Sequence, residues 1–196
     1  MQKTPTLLSV VLAFGITLLI SGLSAQAGSL EKRSAQLFHS MQQSRTAVAA
    51  LLADDLSWKD LTAGVVSNKA ELLEGLSAEW AVNLRRQISD VVERGDVVTL
   101  TITQTSDLHR ALGLPADVER VSLRYRGGKV VFGQVEAIGE RLASSARFVA
   151  FQQWLQQRHA EEARELLPAG RMPPSGELAK RVLVRAGEWA GSSAAN

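Results

Sequence analysis

The sequence predicts an α+β domain in which helices come first, antiparallel strands follow, and further helices close the chain. Two observations carry this prediction. Apolar residues recur at helical spacing before residue 82 and again after residue 139. Between those limits apolar and polar residues alternate, as in strands that bury one face. Because the strands follow one another without intervening helices, a doubly wound parallel sheet is not expected.

The composition excludes several classes of protein. The chain of 196 residues is long enough for one domain with a substantial core. Hydrophobic residues make up 45% and charged residues 21%, which excludes a disordered chain. The absence of cysteine excludes disulfide scaffolds, zinc ribbons and thiol nucleophiles. A formal net charge of +2 is too small to predict nucleic-acid binding.

Residues 1–27 have the pattern of a secretory signal peptide. Lys3 carries the only charge, an apolar stretch covers residues 7–23, and Ala25 and Ala27 form a small-residue cleavage site. The alternative is an uncleaved anchor, since a stretch of about 17 residues can span a thin bilayer. We expect cleavage near Ala27, export to the periplasm or the medium, and contact with a membrane only through the signal peptide.

Residues 28–139 are expected to form the α+β domain. Helical spacing over residues 30–53 is interrupted by the polar segment 42–45, which favours two short helices. The alternating segment 56–60 predicts a first strand, and residues 64–67 are expected to pair with it.

A third helix and four consecutive strands are expected next. Asn68 and Glu71 have the spacing of a capping box that starts the helix. Turns are predicted at residues 94–96 and at Gly127-Gly128, and a longer loop over residues 108–117. The alternating apolar positions that predict these strands include Val82, Leu84, Ile88, Val92, Val98, Leu100, Ile102, Val121, Leu123 and Tyr125.

Residues 140–196 are predicted to be a helical C-terminal extension. One helix is expected over residues 140–167, followed by a break at the prolines between 168 and 174. A last amphipathic helix is expected around residues 178–189. The extension is expected to pack on its own domain or, alternatively, to dock on a partner or a second copy.

This order of elements resembles the SnoaL-like branch of the nuclear transport factor 2-like superfamily, over about residues 37–139. Two segments carry the resemblance: residues 50–60, a helix end that runs into a strand closed by an acid, and residues 121–131, a strand, Gly-Gly hairpin and final strand. The resemblance implies a curved sheet wrapped on helices as a cone with an apolar pocket. Members of the superfamily include ketosteroid isomerases, polyketide cyclases, epoxide hydrolases and pocket proteins with no known reaction.

Asp60 matches the general base of the isomerases at the end of the first strand pair. The tyrosine that those enzymes use toward the oxyanion matches a position near Gln36, and their protonated aspartate matches about Val121. Leu61 stands where a proline usually follows the base. Isomerase chemistry needs a base and a donor, so that activity is not expected here. An exposed turn aspartate is the alternative role for Asp60.

Arg86 and Asp90 occupy positions of a predicted strand where apolar residues are expected. They lie about 13 Å apart on a strand and cannot pair directly. We expect Arg86 to bind an anion or carbonyl in the cavity beside Gln104, unless a bulge turns this face outward. Asp60, Arg86 and Asp90 are also of the residue types in the Asp–Arg–Asp set of the superfamily's epoxide hydrolases.

Trp58 and Tyr125 are expected to line the pocket, with plain core packing as the alternative for Trp58. His39, His109 and His159 are widely separated and form no ligand-spaced cluster, so neither a metal nor another cofactor is predicted.

Three functions remain open at this stage. The first is an exported protein that binds a small, largely apolar molecule without turnover. The second is a lyase, isomerase or hydrolase with Asp60 as general base and Arg86 polarising the substrate. The third is an interaction module that forms a homodimer or binds a partner through its sheet or its tail helices.

Overall fold

The computed structural model describes residues 30–168, 173 and 175–193. The signal peptide predicted for residues 1–27 lies outside this part of the chain. None of the helices within the described ranges combines the length and hydropathy needed to cross a lipid bilayer.

The described chain has the predicted α+β class, with helices on one side of a six-stranded sheet and further helices after it. In chain order the elements are α1 (residues 30–41), α2 (Arg45–Leu51), β1 (Leu52–Asp60), β2 (Val65–Ser67), α3 (Lys69–Ala81), β3 (Arg85–Arg94), β4 (Val97–Thr105), α4 (Asp107–Leu112), β5 (Asp117–Arg126), β6 (Lys129–Ala137), a 3-10 turn (Leu142–Ser144), α5 (Ala146–Arg158), α6 (Ala160–Leu166) and α7 (Gly176–Ser193).

The sheet is curved and does not close into a barrel. Its strand order is β2-β1-β6-β5-β4-β3. The expected antiparallel hairpins β1–β2, β3–β4 and β5–β6 are all present, as is the β4–β5 pair. The β1–β6 pair, however, is parallel. After β1 the chain forms the edge strand β2 and helix α3 and then re-enters the sheet at its other edge with β3. The antiparallel strands that follow lead back across the sheet, so that β6 lies next to β1 and runs in the same direction.

One side of the sheet, here called the inner face, packs against α1, α2 and α3. It carries Val98, Leu100 and Ile102 of β4, each at most 2% exposed. The helices contribute Leu37, Phe38, Met41, Val48, Leu73 and Leu76 to the same buried cluster. The alternation in the strands therefore corresponds to burial on this face.

Local turn and cap signals were correct. The Asn68 side chain accepts a hydrogen bond from the Glu71 amide (3.1 Å), and the Glu71 carboxylate accepts one from the Asn68 amide (2.8 Å). The split between the first two helices and the Gly127-Gly128 hairpin are also confirmed. These features depend on neighbouring residues only, which is why the sequence shows them.

Strand β3, the first of the four strands expected after α3, begins later than the sequence pattern indicated. Val82 is the C-cap of α3, and Asn83 follows with a φ of 53°. The Leu84 amide donates to the Glu79 carbonyl oxygen and closes the helix end, so β3 starts only at Arg85. Val82 alternates with the strand residues in sequence, but it packs in a helical core.

The expected loop over residues 108–117 contains the short helix α4. The Ser106 side chain accepts from the His109 amide at its start, and Gly113 ends it in the left-handed conformation (φ 63°). The predicted long helix over residues 140–167 is instead divided into the 3-10 turn, α5 and α6. The break between α5 and α6 falls at His159, whose φ is −138°.

The C-terminal extension packs on its own domain and forms a second buried cluster with α3 and α4. Gly176 at the start of α7 lies against the backbone of Ser77, where a Cβ would be only 2.7 Å from the carbonyl oxygen. Arg147 of α5 donates to the Leu112 carbonyl oxygen and lies over the Trp189 ring (5.3 Å). The cluster also includes Ala78, Val82, Leu108, Phe148, Phe151, Leu155, Leu166, Val182 and Ala186.

Candidate functional site

Polar side chains collect at one end of the inner face. Arg86 of β3 pairs with Gln104 of β4, two residues along the strands from the Ile88–Ile102 pair. Glu119 of β5 pairs with Ile102, and Asp60 of β1 pairs with Val135 of β6. Paired residues in a ladder project to the same side of the sheet. Asp60, Arg86, Gln104 and Glu119 therefore all face the helices.

The Asp60 carboxylate is fully engaged in hydrogen bonds. Its Oδ1 accepts from the amides of Thr62 (3.0 Å) and Ala63 (2.9 Å), and its Oδ2 accepts from Arg141 Nη1 (2.7 Å). Both carboxylate oxygens are thus occupied by donors of the protein itself, and the two backbone contacts fix the turn after β1.

Arg141 also pairs with Glu119, whose side chain is only 7% exposed. Its Nε donates to Glu119 Oε1 (2.9 Å), and Nη2 contacts the same oxygen. Burial raises the pKa of Glu119 above its ordinary value; the hydrogen bonds and charge of Arg141 oppose this, while the charge of Asp60 adds to it. Glu119 is therefore easier to protonate than a glutamate in water.

Arg86 makes a one-sided ion pair with Glu79 of α3. Its Nη2 donates to Glu79 Oε1 (2.7 Å), and the arginine side chain is 8% exposed. Arg86 Nη1 and Glu79 Oε2 are both buried and have no hydrogen-bond partner among the described residues. Because an unsatisfied buried donor or acceptor is costly, a further hydrogen-bonding group at these two atoms would be stabilising.

Asp60, Glu79, Arg86, Glu119 and Arg141 are here called the polar cluster. With every member ionised it holds three carboxylates and two guanidiniums, so it carries one excess negative charge. Asp60 (26% exposed) and Glu79 (29% exposed) lie at its margin with solvent, while Arg86 and Glu119 lie inside.

Trp58 and Tyr125 lie on the inner face but are committed to packing. A Cβ at Gly133 on the neighbouring strand would overlap the Trp58 ring, so the ring fills the space that this glycine leaves. The Tyr125 hydroxyl shares a 2.7 Å hydrogen bond with Ser34 of α1 and is buried.

Asp90 lies apart from the polar cluster. It sits in a bulge of β3 between Ser89 and Val92, with a φ of 52°, and its side chain is exposed. The Ser89 hydroxyl donates a hydrogen bond to Asp90 Oδ2 (3.0 Å). The expected alternation of Arg86 and Asp90 on one face ends at this bulge.

Three members of the polar cluster were not identified from the sequence: Glu79, Glu119 and Arg141. Glu119 had a signal, since extending the alternation of β5 back from Val121 places it on the buried face. Arg141 lies just after the sheet and Glu79 within a helix, and neither position has a pattern that predicts a buried ion pair.

A second group of buried polar side chains lies near the polar cluster, since Asp117 of β5 pairs with Gln104 of β4. Ser106 Oγ and His109 Nδ1 are 2.8 Å apart, and His109 Nε2 is 3.4 Å from Asp117 Oδ1. That oxygen also accepts from the Leu142 amide (2.8 Å). This group joins α4, β5 and the extension. Among the described residues no group of three or more His, Asp or Glu side chains is arranged to hold a metal ion.

The sequence matches no family model, and no curated protein matches it. The structure is similar to that of a candidate ketosteroid isomerase from Kribbella flavida, with a TM-score of 0.51 and 15% identity over 59% of this chain and 82% of that one.

Two further solved structures are similar at lower scores. A protein of ketosteroid isomerase-like fold from Catenulispora acidiphila, in complex with trimethylamine, has a TM-score of 0.49 and 19% identity over 57% of this chain and 87% of that one. A candidate polyketide cyclase from Streptomyces antibioticus has a TM-score of 0.49 and 15% identity over 55% and 91%. Together with the element order, the Kribbella likeness confirms the expected cone fold. The described chain therefore has a fold of the nuclear transport factor 2-like type.

Proposed function

We propose that this protein binds a small, largely apolar molecule whose polar group contacts the polar cluster. The observation that carries the proposal is the pair of buried, unpartnered atoms, Arg86 Nη1 and Glu79 Oε2. A bound polar group would satisfy both atoms, and binding would recover the free energy that their isolation costs.

The surroundings of these atoms support a ligand that is otherwise apolar. On the inner face the nearest paired positions are Ile88 and Ile102, both part of the main core or packed against it. An apolar ligand body would extend the buried surface at this end of the sheet, at about 25 cal/mol for each Å² removed from water.

The test is thermal unfolding of the chain from residue 28 onward with a panel of small apolar molecules. A ligand that binds only the folded state raises the melting temperature with the logarithm of its concentration. We expect at least one saturable shift, retained in Asp60→Asn because Asp60 fixes a turn. The absence of any shift across the panel would contradict the proposal.

A second function, acid–base catalysis, is favoured by one observation. Glu119 is a buried carboxyl with a raised pKa on the inner face, which is the state of a proton-transferring group. In this second function, Glu119 rather than Asp60 exchanges the proton with the substrate. The unpaired Nη1 of Arg86 donates to the substrate and polarises it.

Deuterium exchange beside the carbonyl of cyclohexanone, followed by NMR, would test this second function. Enzyme-dependent exchange that Glu119→Gln abolishes and Asp60→Asn retains would support it, and exchange no faster than in buffer would contradict it.

Export is also part of the proposal, and it rests on the signal-peptide pattern of residues 1–27. Homodimer formation remains a prediction that the mass in solution would test.

A further inference from the structure

We infer that the polar group of the ligand is one that accepts and donates a hydrogen bond at once, an alcohol or a primary amide, held between Arg86 and Glu79. This inference rests on the proposed function and specifies the chemistry of the same site.

The two atoms that the ion pair leaves unpaired differ in hydrogen-bonding capacity. Arg86 Nη2 and Glu79 Oε1 already bond to each other, which leaves Nη1 as a donor and Oε2 as an acceptor. A guanidinium nitrogen can only donate, and a carboxylate oxygen can only accept. A single group that satisfies both atoms must therefore present an acceptor to Arg86 and a donor to Glu79.

The charge of the polar cluster argues against an ionic ligand. Glu79 Oε2 would repel a carboxylate, and the cluster already has an excess negative charge when ionised. An ammonium group would pair with Glu79 but has no acceptor for Arg86 Nη1. A neutral hydroxyl or amide meets both requirements without adding charge to a buried site.

A water molecule has the same donor and acceptor capacity as an alcohol, so a ligand hydroxyl must compete with water for these two atoms. A ligand hydroxyl that replaces such a water reproduces its hydrogen bonds, whereas a group that only accepts does not. The preference for alcohols and amides over ethers is therefore the measurable consequence of the inference.

The experiment compares five probes of one size by calorimetric titration into the chain from residue 28 onward. Benzyl alcohol and benzamide can accept and donate, anisole can only accept, benzoate is an anion and benzylammonium a cation. We expect the dissociation constants of the first two to be about tenfold or more lower than those of the other three.

Two substitutions test whether the preference for alcohols and amides depends on Arg86. Arg86→Met should remove it, and Arg85→Met, at an exposed neighbour on the same strand, should leave it unchanged. If Arg86→Met fails to fold, Glu79→Gln serves instead. With its amide oxygen turned toward Arg86, its NH₂ replaces the free acceptor by a donor, so anisole should then bind as tightly as benzyl alcohol.

The outcomes separate this inference from the proposed function. If none of these probes and no member of the apolar panel binds, the proposed function is wrong. If probes bind but anisole or benzoate equals benzyl alcohol, or if Arg86→Met and Glu79→Gln leave the preference intact, only the inference is wrong.

Discussion

Replacing Arg141 by methionine removes the cation that lies between two carboxylates. Asp60 keeps its two backbone donors and is a quarter exposed, so the loss of Arg141 removes little of its stabilisation. Glu119 is almost fully buried and loses the cation to which it is bonded. Removing one partner of a buried ion pair costs about 3–5 kcal/mol. Because only one of these carboxylates is deeply buried, we expect about 3 kcal/mol at pH 7, near the lower end of that range.

The loss should depend on pH in a defined direction. Burial raises the folded-state pKa of Glu119 above its unfolded value, so the folded protein holds this proton more tightly. Such a group contributes stability below the unfolded pKa and loses it as the pH rises through the folded pKa. In Arg141→Met the folded pKa rises further, since the opposing cation is gone. The deficit should therefore be smaller near pH 5 than near pH 8.

Urea unfolding at pH 5, 7 and 8 measures these differences. For a chain of this size, 3 kcal/mol also corresponds to a fall of about 6–12 °C in melting temperature. Adding Glu119→Gln to Arg141→Met should recover most of the loss, and Arg120→Met, at an exposed position of the same strand, should cost under about 0.5 kcal/mol. A loss below about 1 kcal/mol, or no rescue by Glu119→Gln, would refute the reasoning.

Three other predictions test the packing and the targeting. Gly133→Ala should cost about 1–3 kcal/mol in urea unfolding because the new methyl overlaps Trp58, while Gly75→Ala, in open space on a helix, should gain up to about 1 kcal/mol; equal effects would contradict this. Phe151→Ala in the second core should cost about 3–5 kcal/mol with one calorimetric transition, and two transitions would show that the extension unfolds separately. In an exporting bacterial host the mass of the purified protein should correspond to a start at residue 28, and an intact segment 1–27 would contradict cleavage.

The sequence predicted features that depend on neighbouring residues. The capping box at Asn68 and Glu71 and the hairpin at Gly127-Gly128 each involve residues within one turn of chain. The order of elements and the inner face of β4 followed from periodicity, because one-sided burial imposes period two on a strand.

The polar cluster could be predicted only in part, because its contacts join distant parts of the chain. Asp60 and Arg141 are 81 residues apart in sequence, and Arg141 lies outside every strand. A bulge on this face was one of the expected alternatives, but its position at Asp90 was not predicted, since residues other than glycine seldom adopt a positive φ. The parallel β1–β6 pair depends on how the chain returns to the sheet after three other strands.

The most direct test of the central claim is a crystal structure of the chain from residue 28 onward grown with benzyl alcohol. The hydroxyl oxygen should lie within hydrogen-bond distance of both Arg86 Nη1 and Glu79 Oε2, with the ring against the apolar inner face. A two-bonded Arg86–Glu79 ion pair that leaves no free donor or acceptor, with the alcohol elsewhere or absent, would contradict the claim.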